Sequence, residues 1–335
     1  MRIAGGICRQ LARRMNIDSG VGWAQAAAHA CSMLTPDDVD IILATGSPFA
    51  SFGLAKHLSV KLGRPYVLDY RDPWTGNPHV AGSVPQAVVR QEAQLLNDAS
   101  AITIVSPSWM ASLQSRFQVG DKLHVITNGY DPEELQGITP YDFGHFAIVY
   151  AGNFYPPKRV ISPVFAALKR FGNGQDTCRK EWYFHYYGEQ EAHIREEASR
   201  FGIMERVVLH GTVPRSQVLS AVRGASVTVV ITSVDQKSTV EDNGIVPGKV
   251  FETLGLGAPM LLITPPDSDV GRITDRVGLG RGYSGNDIEG ITGFLTEAMH
   301  ENLPMPGRQS MYAWPNIAKN LDTILRTVVE GHTCV

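Results

Sequence analysis

Residues 246–261 read Val246-Pro247-Gly248-Lys249-Val250-Phe251-Glu252-Thr253-Leu254-Gly255-Leu256-Gly257-Ala258-Pro259-Met260-Leu261: a loop, a short helix, a tight turn and the start of a buried strand. Pro247 and Gly248 open the helix, where the first backbone N–H groups have no partner inside it and the dipole is positive. Such an end attracts an anion, and Lys249 adds a full positive charge at the same place. Glu252 follows three residues later on the same face. A carboxylate so placed accepts two hydrogen bonds from a ribose diol while the lysine neutralises a diphosphate carried by that sugar. The other reading of the fragment is a capped surface helix with an exposed Lys–Glu pair of little energetic weight.

Working outward, short apolar or β-branched runs bounded by Gly, Pro, Ser or Asp alternate with longer amphipathic stretches, the pattern of a parallel-sheet α/β protein. Strands are expected over 40–44, 65–69, 101–105 and 123–126, then over 146–150, 182–187, 207–209, 226–231 and 259–263. Helices are expected over 50–62, 107–117, 161–170, 189–201 and 215–223. Between 127 and 145 the pattern lapses into Asn128-Gly129-Tyr130-Asp131-Pro132 and Gly137-Ile138-Thr139-Pro140, a turn-rich stretch that reads as the domain boundary. The expected division is 1–135, 136–310, and a C-terminal segment 311–335 whose helix, near 312–329, returns to the first domain. Ligands of open parallel sheets lie beyond the carboxyl ends of the strands, which places the site in a cleft between two facing sheets.

At 335 residues the chain has room for two cores. A formal net charge of −3 argues against binding to a nucleic-acid backbone. No run of about 18 apolar residues and no signal-peptide pattern occurs, so the expected location is the cytosol. Cys8, Cys31, Cys178 and Cys334 are too scattered for a disulfide framework or a zinc site, and Cys334 does not fit a prenylation box. There is no solenoid repeat.

Several expected strand ends carry groups suited to a ligand. Ala151-Gly152-Asn153-Phe154-Tyr155-Pro156-Pro157-Lys158-Arg159 is a glycine-led loop ending in two cations. Gly152 permits close backbone approach, and Lys158 or Arg159 balances phosphate charge; the alternative is a solvated basic turn. Tyr187-Gly188-Glu189 and Leu209-His210-Gly211-Thr212-Val213-Pro214 present main chain to a nucleobase, or simply leave a sheet. In the first half, Asp69-Tyr70-Arg71-Asp72-Pro73-Trp74 puts three charges at the end of an apolar strand. Arg71 or Asp72 then holds sugar hydroxyls or positions an acceptor, or else an internal Arg–Asp pair fixes the turn. Ser47, in the small-residue loop Ala44-Thr45-Gly46-Ser47-Pro48, faces the same cleft, while His79 reads as incidental.

In their order and spacing these anchors resemble the retaining nucleotide-sugar glycosyltransferases of the GT-B fold, in particular family 4, over nearly the whole chain. The resemblance implies two Rossmann-like domains facing a cleft. It assigns Lys249 and Lys158 to the donor diphosphate, Glu252 to the ribose diol and main chain near Val213 to the base. Gly152, Asn153, Arg159, Gly188, Ile245, Val246, Pro247 and Gly248 complete the donor side, with Ser47, Arg71 and Asp72 on the acceptor side. Asn153 stands where the family often has Arg, which shifts weight onto Lys158 and Arg159. Gly244 stands where a second glutamate is common, and the main-chain amides of residues 243–246 are the expected substitute. Members usually open with an apolar strand and a glycine-rich loop, whereas residues 1–34 read as helical and loop segments, so the N-terminal domain is expected to be abbreviated. Arg2, Arg9, Arg13 and Arg14 there would touch anionic lipid at the inner membrane face, a phosphorylated acceptor or a partner chain, or form an exposed basic helix.

The implied activity is transfer of a sugar from a nucleoside diphosphate sugar to an acceptor hydroxyl with retention, using Asp72, Arg71 and Lys249. No metal or cofactor beyond the donor is expected, and no nucleic acid. The same pattern admits a non-catalytic or partner-completed sugar-nucleotide-binding subunit, or a sugar-nucleotide epimerase. A dinucleotide-binding oxidoreductase is disfavoured because no strand is followed by Gly-x-Gly-x-x-Gly.

Overall fold

A computed structural model of the protein describes residues 21–78, 83–173, 181–235, 238–301 and 308–333. Arg2, Arg9, Arg13, Arg14, His79 and the cysteines other than Cys31 lie outside the described residues. The chain divides into two units, Met1–Thr127 with Ile317–Val335, and Asn128–Asn316.

In the first unit α1 (Val21–Ala30) precedes β1 (Ile42–Gly46), α2 (Ala50–Leu62), β2 (Tyr66–Tyr70), α3 (Gln86–Asp98), β3 (Ala101–Ile104), α4 (Pro107–Arg116) and β4 (Leu123–Val125). The four strands are parallel in the order β1-β2-β3-β4. Every residue of β2 and β3 is buried, as for strands covered on both faces, whereas β1 alternates, with Leu43 and Thr45 exposed.

The second unit runs α5 (Pro132–Leu135), β5 (Phe146–Ala151), α6 (Ser162–Gly172), β6 (Trp182–Tyr187), α7 (Glu191–Phe201), β7 (Val207–Leu209), α8 (Arg215–Gly224) and β8 (Val227–Ile231). It continues with α9 (Val240–Asn243), α10 (Gly248–Leu256), β9 (Met260–Ile263), α11 (Asp269–Val277), β10 (Gly280–Tyr283) and α12 (Ile288–His300). Its sheet is parallel in the order β10-β9-β8-β5-β6-β7. Alternate residues of β5 enter different cores: Phe146, Ile148 and Tyr150 pack with Phe165, Phe184 and Phe294, while Val149 packs with Val230, Phe251 and Leu262. The last helix, α13 (Trp314–Thr333), begins in the second unit and ends in the first. Among the described residues no helix is long and apolar enough to cross a membrane.

The chain passes between units at 127/128 and 316/317, not at 135/136 and 310/311. The reason is that Tyr130 and Leu135 are buried in the second core, and Tyr130 and Ala313 form a parallel bridge. The Tyr130 N–H donates to the Tyr312 carbonyl at 3.0 Å, and the Trp314 N–H to the Tyr130 carbonyl at 2.9 Å. β1 sits two residues later than expected. β10, Gly-Arg-Gly-Tyr, has no apolar run to announce it; a Cβ on Gly280 would stand 2.2 Å from the Met260 carbonyl oxygen, so the strand pairs with β9 only as glycine.

Candidate functional site

In the second sheet the strand order reverses between β8 and β5, and the crevice beyond the carboxyl ends at such a reversal is where an open α/β sheet takes a ligand. The loops that leave β5 and β8 are joined there by the Val234 N–H, which donates to the Lys158 carbonyl at 2.8 Å. The loops after β5, β6 and β7 are also stitched together. The Gly152 N–H donates to the Tyr187 carbonyl and the Gly188 N–H to the Gly211 carbonyl, each at 2.9 Å. Gly188 has no room for a side chain, since a Cβ would meet the Tyr186 hydroxyl at 2.4 Å and the Gly152 carbonyl at 2.8 Å.

Lys249, on the first turn of α10, reaches over to this corner. Its Nζ is 4.4 Å from the centre of the Tyr150 ring and 3.3 Å from where a Gly152 Cβ would be, and the Gly152 φ of +134° favours glycine there. Among the described residues the ammonium makes no hydrogen bond or ion pair. The residue as a whole is half-buried. Burial first, and then the nearby Arg159 charge, push its pKa down to about 7, against an opposing pull from Glu252. Arg159 lies at the same corner, its guanidinium 5.2 Å from the Tyr155 ring, with a buried Nε that has no hydrogen-bond partner among the described residues. Pro247 supplies no side-chain cap to α10, and nothing lies within 4 Å of a Cβ built on Gly248. Two under-compensated cations beside an uncapped helix start make an arrangement that an anion completes.

Lys158 does not join them as an unpaired cation. Its ammonium is 2.6 Å from Oδ1 of Asp242, which is buried on α9 and held by the Thr239 capping box. Burial pushes the Asp242 carboxyl up, but the Lys158 and Thr239 hydrogen bonds outweigh it and the net shift is downward. Asn153 is exposed, and its carbonyl accepts from the Tyr150 hydroxyl at 3.1 Å. The amides of Asn243, Gly244 and Ile245, expected to replace the second glutamate, donate instead to Thr239, Val240 and Asp242 carbonyls at 3.0–3.3 Å. Ile245 and Val246 are buried, and Val213 packs on the second core.

Glu252 shares the α10 face with Lys249 but pairs with a residue that sequence reading missed. Arg215, at the start of α8, donates from Nη2 to Glu252 Oε1 at 2.7 Å and from Nε to Glu134 Oε1 at 2.6 Å.

In the first unit, Ser47, Arg71 and Asp72 follow the ends of β1 and β2. Ser47 and Asp72 are exposed. Arg71 is gripped by Asp69, with Nε 2.8 Å from Oδ2 and Nη2 3.0 Å from Oδ1, so the internal pair does fix this turn. Asp69 is buried on β2 and also accepts from Thr103 at 2.6 Å and Thr45 at 3.2 Å. The turn has a second anchor, also missed from sequence. The wholly buried Glu92 of α3 accepts from the hydroxyls of Tyr70, at 3.2 Å, and Thr75, and Thr75 in turn accepts from Arg116. Burial holds the Glu92 carboxyl above its usual range.

The family model described as Glycosyltransferase Family 4 matches residues 13–134. No protein of curated function matches the sequence. Among solved structures, sucrose-phosphate synthase from Thermosynechococcus elongatus is similar at 14% identity and a TM-score of 0.66, covering 92% of this chain and 78% of that one. HepE from Anabaena, solved in complex with UDP, is similar at 14% identity and a TM-score of 0.62, covering 91% of this chain and 82% of its own. A glycosyltransferase from Rickettsia africae has 12% identity and a TM-score of 0.62, covering 92% and 81%. With two parallel α/β sheets and the likeness to such structures over more than nine-tenths of its length, the chain has the GT-B fold, and the stretch that matches the family model lies in its first unit and the start of its second.

Proposed function

We propose that the protein transfers a sugar from a nucleoside diphosphate sugar to an acceptor hydroxyl, with retention at the anomeric carbon and without a metal. The observation that carries this reading is the corner at the end of β5, where, among the described residues, the Lys249 ammonium has no ion-pair partner and the Arg159 Nε is buried without a hydrogen bond. A donor diphosphate supplies the missing charge to both. Negative charge grows on the phosphate as the sugar departs, and a lysine and helix start already aimed there stabilise it without reorganising. Glu252 would accept the ribose hydroxyls, the loops at Gly188 and Val213 would flank the base, and Ser47, Arg71 and Asp72 would serve the acceptor. Attack comes from the face the diphosphate leaves, and the departing phosphate oxygen takes the acceptor's proton. The similar Anabaena protein, solved with UDP and with UDP and glucose, supports a nucleoside diphosphate donor.

Replacing Lys249 with Ala tests the assignment. Transfer should fall at least about 100-fold, and thermal stabilisation by UDP, GDP or ADP should disappear, with the fold intact. Normal turnover in that variant refutes it. A second reading is a partner-completed binding subunit, favoured by β1, which ends its sheet among the described residues with Leu43 42% exposed. Stabilisation of the native chain by a nucleoside diphosphate without donor hydrolysis or transfer selects that reading.

A further inference from the structure

Arg215 is an exposed residue at the head of α8, yet its guanidinium joins three elements of the second unit. Its Nε and Nη2 clamp both oxygens of Glu134 on α5, at 2.6 and 3.2 Å, and Nη2 also holds Oε1 of Glu252 on α10 at 2.7 Å. An isolated surface ion pair contributes little stability, so the value of this one lies in what it fixes. The forked grip on Glu134 leaves the guanidinium plane little freedom, and a fork is a geometry that Lys cannot reproduce.

Two consequences follow for Glu252. One carboxylate oxygen is held by Arg215 and the side chain stays 30% exposed, so the rotamer is restrained before any ligand arrives. In addition, Glu252 and Lys249 are three apart on one helix, the spacing at which opposite charges pair. Among the described residues they form no ion pair, and the carboxylate pairs with Arg215 instead. A Glu252 released from Arg215 would be available to Lys249, and each would then cancel the group the other is meant to bind.

We propose that Arg215 is a positioning residue for nucleotide recognition: by holding Glu252 it presents a carboxylate to the 2′- and 3′-hydroxyls of a ribose and keeps Lys249 unpaired for the diphosphate. This rests on the donor-binding reading above. It makes the protein selective for ribonucleoside over 2′-deoxyribonucleoside diphosphates, with Arg215 as a source of that selectivity although it touches neither hydroxyl.

The test is calorimetric binding of UDP, GDP and ADP and their 2′-deoxy counterparts to the full chain and to R215M, R215K, E252Q and R215M/E252Q, with melting curves to confirm folding. The native protein should prefer the ribose form of its best ligand by ten- to a hundredfold, the range for a hydrogen bond to a charged group. R215M should bring that ratio to within about threefold of unity and weaken the ribose form about tenfold, R215K should recover only part of the ratio, and R215M/E252Q should lose no more than E252Q alone. A folded R215M that keeps the native ratio overturns the role of Arg215 while donor binding stands. A native protein that binds none of the diphosphates overturns the donor-binding reading itself.

Discussion

At the scale of single residues, Lys249 sets the pH behaviour of the site. Its pKa of about 7 means that the ammonium is lost as the pH rises through neutrality. The proposed binding of a nucleoside diphosphate would need that charge, so affinity should fall between pH 7 and pH 9, and a calorimetric titration of K249R should show a flatter profile because a guanidinium stays charged. The sign for stability is opposite. The unfolded chain holds this proton up to about pH 10.4, so it binds more protons than the folded state above pH 7, and the ligand-free protein gains stability from this group as pH rises. K249M should therefore melt a few degrees higher than the native chain at pH 7 while losing the anion. The place of Lys249 on a helix start was legible because a helix start, a cation and a carboxylate within six residues are local facts. Its surroundings were not: Arg215 lies 37 residues from Glu252, and Asp242 lies 84 from Lys158. Nothing in a linear pattern tells which of several cations is already matched.

At the scale of elements, the alternation of strand and helix was readable wherever a strand is buried on both faces, as β2, β3, β5, β8 and β9 are, because burial demands an unbroken apolar run. It failed for β10, an edge strand held by glycine contact. It also gave no hint that β6 and its neighbours carry a ladder of histidines. His185 on β6 meets His145 through Nε2 at 2.9 Å and His210 through Nδ1 at 3.0 Å, and His210 stacks on Tyr187 at 4.1 Å. Burial, then the charges of His210 and His145, push the His185 pKa down to about 3. Because the unfolded imidazole takes up a proton below about pH 6.5, stability from this residue is present above that pH and drains away as the pH falls toward 3. Between pH 6.5 and 5 the loss is roughly 2 kcal/mol. Melting curves of H185F should start lower at pH 7, since two imidazoles lose a partner, yet fall less steeply between pH 7 and pH 5.

At the scale of the molecule, the groups proposed to bind the donor, Gly152, Arg159, Lys249 and Glu252, all belong to the second unit, and those proposed for the acceptor, Ser47, Arg71 and Asp72, to the first. Donor binding should therefore survive damage to the first sheet. Asp69→Asn strips the charge that Arg71 and two threonines share in a buried place, at a cost of about 3 kcal/mol. That variant should melt earlier and transfer poorly while binding UDP as the native chain does. Loss of UDP binding with the second core still folded would show that the donor groups do not suffice alone.

The pair of poorly matched cations beside Gly152 also bears on how the protein is handled. Sulfate, inorganic phosphate and citrate are small oxyanions that meet the same requirement, so salts chosen for purification become competitors. Material kept in phosphate or ammonium sulfate would melt higher and bind nucleotide more weakly than the same material in Tris chloride, and a ligand survey run in the former would under-report affinity.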